Sequence, residues 1–170
     1  MIVRRELPGD RAAIFAVHAA AFARPGVDVA PEAHLVDWLR GDGDLLPELS
    51  LVAVVNGTIV GHVACSRAHI GEQVSLGLGP LGVLVGHQRR GVGSALMHAA
   101  LGAAGALGEP AVCLLGDPGD YRRFGFELAT SVGVDPPNPE WAPHFQIRRL
   151  TVWSSMTAGT FHYASAFDRI

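Results

Sequence analysis

Cysteine is scarce: the 170 residues hold two, Cys65 and Cys113, each inside an apolar, strand-like run. Two buried free thiols fit that setting better than a disulfide or a redox pair. Charge is scarce as well, at 17% of residues, with a net charge of −3 and a pI near 6.2. That balance gives no electrostatic case for nucleic acid or an anionic membrane as partner, and Arg89 with Arg90 makes a pair, not a patch. No apolar stretch reaches membrane-spanning length, and MIVRRELPGD lacks a signal-peptide core, so a cytoplasmic soluble protein is expected. No internal repeat is present. The eight histidines do not cluster. His62 lies seven residues from His69 and three from Cys65, and odd spacings on a strand put side chains on opposite faces, so no metal is expected.

What is abundant is apolar surface. At 49% hydrophobic, the chain has the size and composition of one domain spanning 1–170 with a full core. Ile2–Arg5 predicts a first strand, and Asp10 is a plausible N-cap for a helix over roughly 11–23 with Ile14, Val17, His18 and Ala21 on one face. A second helix over about 31–40 turns Leu35, Trp38 and Leu39 inward and stops at Gly41-Asp42-Gly43. Leu51–Val55, the hairpin signal Asn56-Gly57, and Thr58–Ile70 predict two antiparallel strands.

The stretch from Leu76 to Leu101 is the centre of the chain. Its strand half holds Leu81, Val83, Leu84 and Val85. Its helix half repeats Val92, Leu96, Ala99, Ala100 and Ala103 at spacings of three and four. Between them lies Gln88-Arg89-Arg90-Gly91-Val92-Gly93-Ser94. Glycines there let a backbone approach a ligand, and the helix's first amides have no carbonyl partners. Such an end suits a phosphate, at roughly 0.3–1 kcal/mol per anionic group from the dipole. A tight strand-to-helix turn with no ligand would look the same.

Downstream, Ala111–Leu115 reads as a buried strand. Gly116–Gly119 leads into a short helix carrying Tyr121, and Phe124–Leu128 starts another strand. Residues 135–143 hold four prolines and form a stiff loop. Phe145–Leu150 returns as a strand, with a less marked one near Thr160–Tyr163. The order β-α-α-β-β-β-α-β-α-β-β describes an α/β (α+β) fold: a mixed, mostly antiparallel sheet of six to seven strands with about four helices.

That order, with Gln88-x-x-Gly91-x-Gly93 after the fourth strand and Tyr121-x-x-x-Gly125-Phe126 after the fifth, resembles the GCN5-related N-acetyltransferase (GNAT) family. The resemblance spans about residues 1–150, with a motif-bearing core of about 50–130 and C-terminal strands over 145–167. It is nearest to the family's small, single-domain predicted acetyltransferases. It implies acetyl-CoA as donor, the backbone of Leu81, Gly82 and Val83 along the pantetheine arm, and the amides of residues 88–94 around the pyrophosphate. Arg89 and Arg90 either add charge there or are simply solvated. By position Tyr121 matches the family's acid, or else its ring belongs to the core. Val85 and Gly86 depart from the usual Pro and acidic or polar residue, which implies a looser turn. The resemblance also allows a homodimer, with the apolar tail Phe161–Phe167 as candidate interface.

Acetyl transfer needs a neutral amine. A lysine-like amine, pKa about 10.4, is ~3.4 units from neutral at pH 7, which is roughly 4.6 kcal/mol. The departing thiol resembles cysteine, near 8.5, so tyrosine near 10 is the weaker acid and serves better as a hydrogen-bond donor to the developing thiolate. No base is legible. Glu72 and Glu109 border strands, and Asp28, Glu32 and His34 lie where acceptor sites are shaped. Segments 22–34 and 135–143 are the expected walls of that site, with Trp141 a candidate lining residue and Trp38 reading better as core. The acceptor would be a primary amine of a small molecule or peptide. A catalytically silent acyl-CoA-binding or sensing domain is the other reading. A Rossmann dinucleotide domain is disfavoured, because no Gly-x-Gly-x-x-Gly follows the first strand.

Overall fold

A computed structural model describes residues 1–170. Strand β1 (Ile2–Arg5) leads to helices α1 (Arg11–Ala21) and α2 (Glu32–Asp42). Three long strands follow: β2 (Leu45–Val55), β3 (Thr58–Ile70) and β4 (Gln73–Val83). Helix α3 (Val92–Ala106), strand β5 (Ala111–Leu115) and the one-turn helix α4 (Pro118–Tyr121) come next. Four short strands close the chain: β6 (Glu127–Leu128), β7 (Val134–Asp135), β8 (Phe145–Arg149) and β9 (Gly159–His162). No helix is long and apolar enough to cross a membrane.

The sheet runs β1-β2-β3-β4-β5-β8-β6, with β9 on the far end of β3 and β7 on β9. Only β4–β5 and β7–β9 are parallel. Asn56 and Gly57 both take positive φ, 50° and 79°, the conformation that matches the twist of a two-residue hairpin. Side-chain alternation then sorts the two faces. A Cβ at Gly61 would touch Leu96 and Val92 of α3, whereas one at Gly82 would touch His18 of α1. The larger core lies under α3, around Val63, Leu76, Leu96, Met97 and Val112.

Several expectations change. The sheet has nine strands, not six to seven: the two-residue β7 leaves almost no hydrophobic pattern to read, and the less marked β9 joins the sheet with it. Strand β2 starts six residues before Leu51; its Pro47 falls where the register with β3 breaks, so its missing N–H is not needed. Leu84 and Val85 are not strand: β4 ends at Val83, and Val85, 70% exposed, begins a 3-10 turn. Phe124 closes a second 3-10 turn, and Gly125 is left-handed at φ 81°, leaving only Glu127–Leu128 as strand. Asp10 does not cap α1 with its side chain, because its carboxylate accepts from the Leu7 amide at 2.7 Å and pairs with Arg4. Part of the apolar tail is spent inside the chain: Phe161 is fully buried, and Tyr163 stacks on Phe167 at 4.4 Å.

One irregularity prepares the site. Leu81 opposes Val63 and Leu78 opposes Cys65, so Gly79 and Pro80 together face the single residue Ala64. This bulge bends β4 at a position where proline is tolerated. Strands β4 and β5 pair only at Leu76–Val112 and Gly77–Cys113. Past that point they splay, while the other edge of β5 stays paired with β8 to Leu115–Phe145.

Candidate active site

The splay between β4 and β5 opens into two adjoining cavities that share Phe22 and Leu81 as walls. The first, about 610 Å³, lies between the end of β4 and the start of α3. Gly91 takes φ 84° there, a conformation costing an L-residue roughly 1–2 kcal/mol. Ala95 is the first α3 amide to bond back to Gly91, so the amides of Val92, Gly93 and Ser94 lack partners within the helix.

Eight of the ten expected donor-site residues line this cavity: Leu81, Gly82, Val83, Gln88, Arg89, Gly91, Gly93 and Ser94. Two do not. Val92 is 3% exposed and packs into the core under α3, and Arg90 is solvated. Gln88 donates from Nε2 to the Val83 carbonyl at 3.0 Å, so its side chain ties the loop to the strand it follows. Arg123, passed over in the sequence, joins Arg89 at the wall. Its only sequence signal is a place two residues after Tyr121.

The second cavity, about 380 Å³, has 14 lining residues, 11 of them hydrophobic. Both tyrosines of the chain, Tyr121 and Tyr163, lie on it, with Phe22, Trp141 and Phe167. Tyr121 packs edge-on against Phe126, and its ring crosses Gly116 so closely that a Cβ there would sit 2.3 Å away. Burial raises the Tyr121 pKa, and Asp120 adds to the rise. Tyr163 is deeper and shifted up further, again mainly by burial. Its role was not legible because Gly77, against which it packs, lies 86 residues earlier in the chain.

Of the carboxylates and histidine considered as bases, only Glu32 reaches a cavity. Its carboxylate is held by Arg24 at 2.8 Å. Glu109 is buried in an ion pair with Arg67, while Asp28, Glu72 and His34 line neither cavity. Trp141 lines the second cavity; Trp38 instead stacks on His34 at 5.6 Å. Burial pushes the Cys65 thiol up to about 12 and Cys113 higher, so neither is a nucleophile. No group of three or more His, Cys, Asp or Glu side chains converges to hold a metal.

Behind the β4 wall lies a polar chain that sequence spacing did not reveal. Ser50 Oγ donates to Glu6 at 2.6 Å, so it accepts from His62 Nε2 at 2.9 Å. His62 Nδ1 is then the acceptor for His18 Nε2 at 2.8 Å. This leaves His18 Nδ1 as a bare lone pair, buried without a partner against Gly82. Burial lowers the His18 pKa to about 3, and neighbouring His62 lowers it too. Burial would raise Glu6, but contacts with His62, Ser50 and Arg40 outweigh it and hold the carboxyl at about 2. The visible signal was a histidine on the apolar face of α1.

Comparison with known proteins gives one answer. Residues 47–128 match the family model of the acetyltransferase (GNAT) domain. The chain is 36% identical over 153 residues to the N-acetyltransferase YhbS of Escherichia coli K12, covering 88% of this chain and 87% of that protein. The crystal structure of E. coli YhbS in complex with CoA superposes with a TM-score of 0.90 and 32% identity, over 99% of this chain and 92% of that one. A GNAT family acetyltransferase from Brucella melitensis in complex with acetyl-CoA gives 0.80 and 36%, over 98% and 97%. The bulged β4, its splay from β5 and the glycine-capped start of α3 thus sit on a shared scaffold, and the chain belongs to the GNAT acetyltransferase family.

Proposed function

We propose that the chain transfers the acetyl group of acetyl-CoA to a primary amine of a small molecule or peptide. The observation that carries this reading is the cleft between β4 and β5, which joins a polar, arginine-bearing cavity at the α3 N-terminus to an apolar one bearing Tyr121. The complexes of the E. coli and B. melitensis relatives with CoA and acetyl-CoA support it. Acetyl-CoA brings the activated acetyl thioester.

The residues divide the work. The amides of Val92, Gly93 and Ser94, with the guanidinium of Arg89, offer donors and positive charge to a pyrophosphate. Arg123 joins them from across the cavity. The backbone of Leu81, Gly82 and Val83 is a strand edge left unpaired by the splay, open to an amide-bearing arm. Tyr121 keeps its proton at neutral pH, as an ordinary tyrosine does, and burial raises its pKa further, so its hydroxyl donates a hydrogen bond to the departing sulfur.

The silent acyl-CoA-binding reading draws on Glu32, the one carboxylate side chain lining the apolar cavity and already paired with Arg24. Thiol release from acetyl-CoA with a panel of primary amines, beside calorimetry with acetyl-CoA, separates the two. All 13 basic residues are arginine, so no lysine side chain competes as acceptor. Saturable, amine-dependent turnover is the expected result. Tight binding with no turnover on any amine would establish the silent domain instead.

A further inference from the structure

We propose that the acceptor is a monocationic primary amine on a compact apolar or aromatic body, drawn in as an ammonium by Glu32 and releasing one proton to solvent before its nitrogen attacks the thioester carbonyl and CoA leaves as the thiol. The inference rests on the acetyl-transfer reading and concerns the 380 Å³ cavity. Its volume is at the small-ligand end of the usual range. Phe22, Tyr121, Trp141, Tyr163 and Phe167 supply aromatic walls, and the bulged β4 and the end of β5 supply aliphatic ones.

Charge narrows the class. No lysine, arginine or histidine lines the cavity, so a carboxylate or phosphate on the acceptor would be buried with nothing to neutralise it. Glu32 is the single ionisable carboxylate side chain on the lining. Its partner Arg24 has a half-exposed side chain, and ion pairs of that kind hold weakly, so an incoming ammonium can share the carboxylate. The same carboxylate argues against a fatty acyl chain in this space, since alkyl groups would desolvate it without a partner. An amino sugar or an extended peptide would bring more hydroxyls or backbone amides than a lining with 11 hydrophobic residues of 14 and two tyrosine hydroxyls can partner.

The position of the cavity ties it to the reaction. Tyr121 stands on its wall, and Leu81 and Phe22 separate it from the donor-side cavity. Trp141 supplies an intrinsic fluorophore within it.

The test is steady-state thiol release with acetyl-CoA and 2-phenylethylamine, isopentylamine, phenylalanine, glucosamine and a lysyl peptide. The first two are expected to exceed the other three by at least tenfold in kcat/KM. Phenylalanine differs from 2-phenylethylamine by one carboxylate and isolates the charge argument. Glu32→Gln is expected to raise the KM for 2-phenylethylamine at least fivefold and leave the KM for acetyl-CoA unchanged, with thermal denaturation reporting an intact fold. Tryptophan fluorescence, with Trp141→Phe as control, reads 2-phenylethylamine binding independently of turnover. Saturable binding there without turnover supports the cavity's selectivity while removing the acetyl-transfer reading. Turnover preferring glucosamine, phenylalanine or the peptide overturns the proposal, as does a Glu32→Gln protein with unchanged KM.

Discussion

Tyr121 is the side chain on which the proposed mechanism can be tested. Its hydroxyl is protonated at neutral pH as any tyrosine's is, and burial raises its pKa further, so in that mechanism it donates to developing negative charge. Tyr121→Phe removes that donor and is expected to lower kcat by about 10²-fold, the scale of losing one preorganised donor. The Kd for acetyl-CoA from calorimetry should not move. The rise of rate with pH should persist in the variant, because it reports the amine losing its proton. A second residue-scale test concerns the α3 cap. Gly91→Ala places an L-residue at φ 84° and is expected to cost about 1–2 kcal/mol of stability in denaturant titration. At Gly93 a Cβ would meet Leu81 and Val83 at an ordinary 3.8 Å, so Gly93→Ala should fold normally. It narrows the phosphate side of the cleft, and calorimetry should show weaker acetyl-CoA binding without that loss of stability.

At the scale of elements, α1 and β4 are fitted to each other at one point. His62 faces Gly82 across the β3–β4 pair, and His18 of α1 sits over both. A Cβ at position 82 would lie 2.7 Å from His18 Nδ1, so helix and strand could not keep their spacing. Gly82→Ala is expected to destabilise by about 1–3 kcal/mol through overpacking. In a His18→Ala background the same change should cost far less, and this double-mutant cycle measures the coupling. Local pattern made most elements legible in the sequence: the Asn56-Gly57 hairpin, the glycine-flanked start of α3, and Ala111–Leu115 lie at or near their expected places. It failed at β7, at the start of β6 and at the end of β4, where two-residue pairings or a 3-10 turn, not periodicity, decide what is strand.

For the whole molecule, the buried Glu6–Ser50–His62–His18 chain sets a pH dependence. An unfolded chain takes up a proton on His18 below about pH 6.5, whereas the folded protein refuses it until about 3. Stability therefore falls as pH drops through that window. Glu6 titrates at about 2 when folded, against an ordinary 4.5, so its contribution is complete above 4.5 and is lost as pH falls toward 2. Chemical denaturation across pH should show maximal stability above pH 6.5 and two overlapping losses below it. Glu6→Gln should remove the lower one, and His18→Gln should shrink the upper, which it shares with His62, also lowered by burial.

The candidate site divides along the same line. The donor side was written locally: a glycine that must take positive φ, amides at a helix start and a tyrosine after a tight turn are matters of neighbouring residues. Eight of ten expected residues met around one cavity for that reason. The two exceptions differ in cause: helical phase points Val92 into the core, and Arg90, in the turn before the helix, is left in solvent. The acceptor side was legible only in part: the expected segments 22–34 and 135–143 supply Phe22, Glu32 and Trp141, while Tyr163 and Phe167 join them through tertiary structure alone. Phe22, Glu32, Trp141, Tyr163 and Phe167 come from distant parts of the chain, and His18 meets His62 across 44 residues. Sequence periodicity says which face of an element is buried. It does not say what that face meets, because that depends on sheet order, the β4 bulge and where β4 and β5 part.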